Sequence, residues 1–360
     1  MGAASAWRLT SRGAEVVGFD RFSPPHDRGS THGDTRITRT AYMEGAWYVP
    51  LLQESFPLWR ELEQLSGSQL LTMTGLLTIG RPGSGAVEAT MAAAREHSLE
   101  ARLLDAAELR RQYPPHVIAD DEVGVFDPQA GVLRPELGVE SMLRGIDVRR
   151  NVNVTAVNPK AGGVEVVTGS GAETFDAAVI AAGPWVRELV PELPVKVERQ
   201  VSVWWALQSG GEQFTPDRFP CWLRGGTQHG DMYGFPSLDG KSIKLGRHHD
   251  GESIDPDSVR RAVTDADLDP IRLVVTRYLR GVTRSVVRGI VCLYTNTPDQ
   301  HFVIDRHPRS DRVIVLSVCS GHGFKFSPVV GDIAADLVLT GQTERDISRF
   351  AMSRFSKPAD

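Results

Sequence analysis

The run Ser242-Ile-Lys-Leu-Gly-Arg-His248 alternates polar and apolar residues. A strand there turns Ile243 and Leu245 to one face and Lys244, Gly246 and His248 to the other. At about 3.3 Å per residue, Lys244 and His248 stand roughly 13 Å apart. They cannot touch one atom, but they could flank opposite sides of a flat ring. A solvated strand face fits the same alternation. Further on, Ser320-Gly-His-Gly-Phe-Lys-Phe326 sets Lys325 between two aromatic residues. Backbone N–H groups at Gly321 and Gly323, left unpaired ahead of a helix, favour partial negative charge. A tight strand-to-helix connection explains these glycines, but not a lysine with a buried-looking setting. A third polar segment, His32-Gly-Asp-Thr-Arg-Ile-Thr-Arg39, carries two arginines; an arginine-rich surface loop is its bland alternative. His249, His301, His307 and Asp305 lack metal-ligand spacing, and neither H-E-x-x-H nor C-x-x-C occurs, so no metal site is expected. There is no G-x-S-x-G elbow either.

Positioning these residues requires a mixed α/β framework. A dinucleotide fold needs strand, glycine turn, helix, strand and then an acid for the ribose. Residues 2–11 read as a helix stopped by Gly13, and 14–20 as a short buried strand ending in Asp20. Gly2 stands where the third glycine of G-x-G-x-x-G would, with Asp20 near the expected distance of about 20 residues. The chain is therefore expected to begin inside the unit, without its first strand and first two glycines. An ordinary surface helix followed by a strand remains the alternative. Helices are expected over 51–65, 86–97 and 328–339, the last with Pro328 in its first turn and Gly341 beyond its end. Strands are expected over 76–79, 175–182, 201–207, 242–248 and 312–318, and 150–157 with 163–168 reads as a hairpin.

The 360 residues carry 40 Lys plus Arg against 45 Asp plus Glu, a formal charge of -5 that argues against a nucleic-acid partner. No apolar run approaches the roughly 18 residues of a membrane span. Three cysteines make no disulfide framework. With no basic segment leading an apolar stretch at the start, a cytoplasmic globular protein is expected.

Five segments lie in register with one family: His32–Arg39, Tyr233-Gly-Phe-Pro236, Lys244-Leu-Gly-Arg-His248, Val291-Cys-Leu-Tyr294 and Ser320–Phe326. Over nearly its whole length the chain resembles the monomeric sarcosine oxidase and N-methyltryptophan oxidase family of FAD-dependent amine oxidases. Trp185–Pro194 and the Lys-Leu-Gly-Arg-His form lean towards the N-methyltryptophan side. Two departures are visible: the opening strand and glycine motif, which carry much of the pyrophosphate grip, and a helix after Arg134 about one turn shorter before Val148.

The resemblance implies an α/β fold in which a Rossmann-like FAD-binding domain, lacking its first strand, is interleaved with an antiparallel-sheet substrate domain. The first comprises 1–60, 140–195 and 290–360, the second 61–139 and 196–289. It implies FAD joined through a thioether at Cys292, although most free cysteines are small buried hydrophobes. His32 and Arg36 would lie against the flavin ring, with Arg36 stabilising its anionic reduced form. Further FAD contacts fall on Gly2, Asp20, Ser30, Thr35, Val154, Gly183, Trp185, Gly321, Gly323 and Lys325. Arg39 and Lys325 would clamp a substrate carboxylate. Lys244 would promote oxygen reduction on one flavin face, and His248 would line the substrate pocket on the other, with Tyr233 and Tyr294 shaping it. Cys221 and Cys319 match no such role.

The implied activity is oxidation of N-methyl or other secondary α-amino acids to an imine, then formaldehyde and amino acid, with hydrogen peroxide from O₂. The partners are then a small amino acid and O₂, and the protein a monomer. Two other readings stand open: oxidation of a cyclic or tryptophan-derived amino acid in a biosynthetic pathway, with Trp204, Trp205 and Met232 near the pocket, and an inactive remnant with at most a binding role.

Overall fold

A computed structural model describes residues 1–208 and 211–356. In chain order the elements are α1 (Gly2–Ser11), β1 (Val17–Asp20), β2 (Arg36–Thr38), α2 (Val49–Ser66), β3 (Leu71–Met73), β4 (Leu76–Gly80) and α3 (Gly85–Glu96). Next come β5 (Arg102–Leu104), α4 (Ala106–Gln112), β6 (Val123–Asp127), β7 (Gly131–Leu133), α5 (Pro135–Met142) and β8 (Asp147–Arg150). They are followed by β9 (Val154–Lys160), β10 (Gly163–Thr168), β11 (Gly171–Phe175), β12 (Ala178–Ile180), α6 (Val186–Leu189) and β13 (Lys196–Leu207). The remainder are β14 (Cys221–Arg224), β15 (Asp231–Gly234), β16 (Ser242–His248), α7 (Asp265–Tyr278), β17 (Val282–Asn296), β18 (Val303–His307), β19 (Ser310–Ser317) and α8 (Ser327–Leu339).

The expected mixed α/β architecture is present, with parallel and antiparallel parts. Parallel pairing joins β1 to β8 and β12 to β19. Helix α1 packs on α8 so closely that a Cβ at Gly331 would stand 2.5 Å from the Ala4 carbonyl oxygen. The seam is pinned by buried Asp332, which accepts from Arg8 Nε at 2.6 Å and from Arg12 Nη2 at 2.5 Å. The largest sheet has eight strands in the order β17-β13-β16-β15-β14-β4-β6-β5. Period-two alternation gives it two unlike faces. Trp205, Trp222, Met232, Ile243 and Leu245 face outwards into a core completed by α7 residues Ile271, Val274 and Val275. That α7 begins where it does because Thr264 and Asp267 form a reciprocal capping box.

Three local expectations are corrected. Strand β1 is half-buried rather than buried, because it pairs only with β8 and its residues line a cavity. The span 150–157 is two strands: Asn151, at φ +57°, turns the chain after β8, and β9 begins at Val154. The apolar span 175–182 also divides, since Phe175 ends β11 against Val164 while β12 aligns with β19. No helix among the described residues is long and apolar enough to cross a membrane.

Candidate active site

A cavity of about 1190 Å³ runs from β1 and Ala178–Ala182, past the start of α1 and the Gly321–Lys325 turn, to the inner face of the large sheet. Its size exceeds the roughly 300–1,000 Å³ of small-ligand clefts, leaving room for an extended cofactor and a small substrate. Its wall includes Gly2, Asp20, Ser30, Thr35, Arg36, Arg39, Val154, Gly183, Trp185, Tyr233, Lys244, His248, Cys292, Tyr294, Gly321, Gly323 and Lys325. Among the residues to which the resemblance gave a cofactor, substrate or catalytic role, His32 alone is off this wall. It is buried behind the loop with Nε2 unpaired, and burial, aided by Arg36, pulls its pKa down to about 4.

Strand register explains the layout. Lys244 pairs with Trp204, and Gly246 with both Ser202 and Tyr233. Across β13, Gln200 faces Cys292 and Ser202 faces Ile290. Gly246 leaves the floor open: a Cβ there would meet the Tyr233 hydroxyl at 2.7 Å. Tyr233 instead closes over it, sharing a 2.6 Å hydrogen bond with Ser202 Oγ. Trp205 and Met232 point into the outer core, so they do not shape the cavity.

At one end of this floor lies Lys244, 3% exposed. Its ammonium donates to Gly33 O at 2.6 Å and to Thr35 O and Oγ1 at 3.2 Å, with the Trp204 and Phe235 rings 5.2 and 5.0 Å away. Burial, then the neighbouring Arg36, lower its pKa to about 7. Arg36 donates to Thr35 O at 2.7 Å and Ser30 O at 2.6 Å, and approaches Cys292 Sγ at 3.5 Å. Burial pushes the Cys292 thiol up, against the pull of Arg36. Cys319 also reaches this wall, 3.7 Å from Ser30 Oγ, rather than being a mere space-filler, whereas Cys221 is sealed in the sheet with its thiol pushed up to about 12.

At the other end, Arg39 and Lys325 come together as buried cations. Lys325 Nζ donates to His322 O at 2.6 Å and Tyr42 Oη at 3.0 Å; burial, then Arg39, bring it down to about 7. Arg39 Nη2 donates to Glu44 Oε2 at 2.6 Å, while its Nε and Nη1 find no partner. Glu44 was not picked out from sequence. Burial acts to raise its pKa, but Arg39 foremost, with Lys325 also acting, holds it at about 2. Beside them Tyr294 Oη and His248 Nδ1 share a 3.2 Å hydrogen bond, and burial keeps His248 neutral with a pKa of about 3. Gly321 admits this pair, since a Cβ would stand 2.6 Å from the Tyr294 ring.

The far arm of the cavity carries charges of both signs, Asp20, Arg21, Glu188 and Arg312 among them. Asp20 Oδ1 accepts from Phe22 N at 2.8 Å, and Trp185 Nε1 donates to Asp257 at 2.8 Å. Gly183 turns at φ +53° and opens the end of β12.

Comparison with known proteins shows the family of the chain. A family model described as FAD dependent oxidoreductase (DAO) matches residues 1–337. The chain is 37% identical to a monomeric sarcosine oxidase of Streptomyces avermitilis, over 99% of this chain and 95% of that protein. It is 35% identical to an N-methyl-L-tryptophan oxidase of Salmonella arizonae, over 99% and 97%. Among solved structures, the open form of NikD, an amino acid oxidase essential for nikkomycin biosynthesis, superposes with a TM-score of 0.84 at 25% identity. That match covers 97% of this chain and 94% of NikD.

Proposed function

The chain belongs to the FAD-dependent oxidoreductase (DAO) family, and on that footing we propose that it oxidises N-methyl α-amino acids, sarcosine and N-methyltryptophan among them, with O₂ as acceptor. The observation that carries the substrate class is Arg39: a buried guanidinium with two unpaired donors, beside a buried lysine, on the wall of a cavity. Buried donors left without an acceptor are costly, and a substrate carboxylate relieves them.

The residues present fit FAD. The cavity is large enough for an extended cofactor and a small substrate, a Cβ at Gly321 or Gly323 would clash so the turn bares its backbone, and Arg36 and Lys244 bring cationic side chains to the wall. In our reading Asp20, Gly2, Val154, Gly183 and Trp185 hold the nucleotide end. Ser30, Thr35, Arg36, Gly321, Gly323 and Lys325 border the ring, His32 supports it from behind, and Cys292 carries it covalently. FAD, when bound, accepts the two electrons of the amine and passes them to O₂.

The chain's own part is placement and charge. Arg39 and Lys325 hold the carboxylate, which fixes the N-methyl group relative to the sheet floor. Neutral His248, with Tyr294 and Tyr233, surrounds the amine with hydrogen-bonding groups and adds no competing charge. Arg36 and Lys244 favour negative charge accumulating on their side of the cavity. The substrate leaves as an imine, which water hydrolyses to formaldehyde and the primary amino acid, while O₂ leaves as hydrogen peroxide. Segments 1–60, 140–195 and 290–360 then serve the cofactor, and 61–139 and 196–289 the substrate. We take the working protein to be a cytoplasmic monomer.

The test is peroxide and formaldehyde release from sarcosine, N-methyltryptophan, pipecolate and proline. Both products should appear with the N-methyl substrates. Peroxide from the cyclic amino acids alone would reassign the substrate class.

A further inference from the structure

The Lys244 ammonium is hydrogen-bonded, among the described residues, only to the loop carrying Gly33 and Thr35. That loop is unusual backbone. Gly33 sits at φ +94° and Asp34 at φ +67°, the latter a conformation that most side chains avoid. Glycine suits this φ, and a Cβ there would stand 2.4 Å from Ile290 Cδ1, which would have to shift, and 3.4 Å from Lys244 Nζ. The Gly33 carbonyl accepts from both Thr35 N, at 2.8 Å, and Lys244. Something must hold this turn in place. One carboxylate oxygen of Glu136, in the first turn of α5, accepts from Gly33 N and, at 3.1 Å, from Asp34 N. The same peptide group of the chain is thus tied to α5 on one side and to Lys244 on the other. A second tie closes the ring: Asp34 pairs with Arg288 at 2.9 Å, Arg288 lies 4.4 Å from the Trp204 ring centre, and that ring stands over Lys244.

We propose that Glu136 is a positioning residue for the Lys244 ammonium, acting through the backbone of Gly33 and Asp34. This rests on the reading of Lys244 as the positive charge beside O₂. Placement, not the charge of Glu136, is what the geometry singles out. Glu136→Gln keeps an acceptor oxygen at the same reach. Glu136→Asp keeps the charge but withdraws the oxygen by about 1.5 Å.

Two readouts separate the possibilities. Amide hydrogen exchange of a peptide covering 31–36 reports the loop itself, and stopped flow reports reduction by sarcosine and reoxidation by air separately. For Glu136→Asp, exchange at residues 33 and 34 should speed up. Reoxidation should slow by about tenfold to a hundredfold, the scale of a small misplacement, while anaerobic reduction stays within about twofold. Glu136→Gln should retain protection and most of the reoxidation rate. Normal reoxidation in Glu136→Asp, or a defect in Glu136→Gln alone, overturns the proposal. Lys244→Met run in parallel distinguishes the two levels: if it too reoxidises normally, the oxygen role of Lys244 has failed, and with it the premise.

Discussion

Buried Arg39 and half-buried Glu44 form an ion pair inside the cavity, Nη2 to Oε2 at 2.6 Å, that uses only one of the three guanidinium nitrogens. The pair is both a partner and a competitor. Glu44 neutralises Arg39 while the site lacks an anion, yet it must share the cation when a substrate carboxylate arrives.

Glu44→Gln should therefore show opposite effects on binding and stability. With the rival charge gone, affinity for a simple carboxylate such as acetate should rise by about tenfold, the scale of one charge-assisted hydrogen bond. The protein should lose stability of the order of 3 kcal/mol, because a buried guanidinium loses its counter-charge. Titration calorimetry and denaturant unfolding check the two signs.

Arg39→Ala removes the clamp at its centre. Sarcosine binding should weaken by about tenfold or more, with flavin content unchanged, since the proposed ring contacts of Arg36 and Cys292 do not involve Arg39. Normal affinity in a stopped-flow titration would reject the carboxylate assignment.

Lys244→Met should leave reduction by substrate largely intact and slow air reoxidation greatly. The wild type adds a sign. With a pKa lowered to about 7 by burial and Arg36, Lys244 is charged below that value and neutral above it. Reoxidation should accordingly fall as pH rises through a midpoint at or above about 7, anionic reduced flavin being able only to raise it, and Lys244→Met should lose that limb of the profile.

Cys292→Ser tests the covalent link. Acid precipitation of the wild type should leave the yellow colour in the pellet, and the variant should release it to the supernatant. Colour released from both would remove the thioether while leaving FAD binding untouched.

Legibility in the sequence followed physical simplicity. The two-faced alternation of Ser242–His248 announced β16, and Lys244 and His248 on its polar face are on the cavity wall, because period-two patterning survives wherever one face meets a core and the other does not. The run 175–182 was read as one strand because its residues, Asp176 apart, are apolar. Only sheet pairing reveals that its ends belong to different sheets. Glu44 and Glu136 left no sequence signal: each is a lone acid in a loop or helix start, and its role comes from a partner that folding brings alongside. Met232 lies beside the pocket residue Tyr233, and Trp205 beside Trp204, whose ring stands over Lys244, yet both face the opposite way, the consequence of alternation along β13 and β15.

The most direct trial of the whole account is an anaerobic titration of the purified protein with sarcosine and with N-methyltryptophan, followed at the flavin absorption band. Bleaching by at least one of them, colour restored by air, and one peroxide formed per substrate consumed is the outcome expected here. A flavin spectrum that neither compound alters, in protein that carries its full complement of FAD, would contradict it.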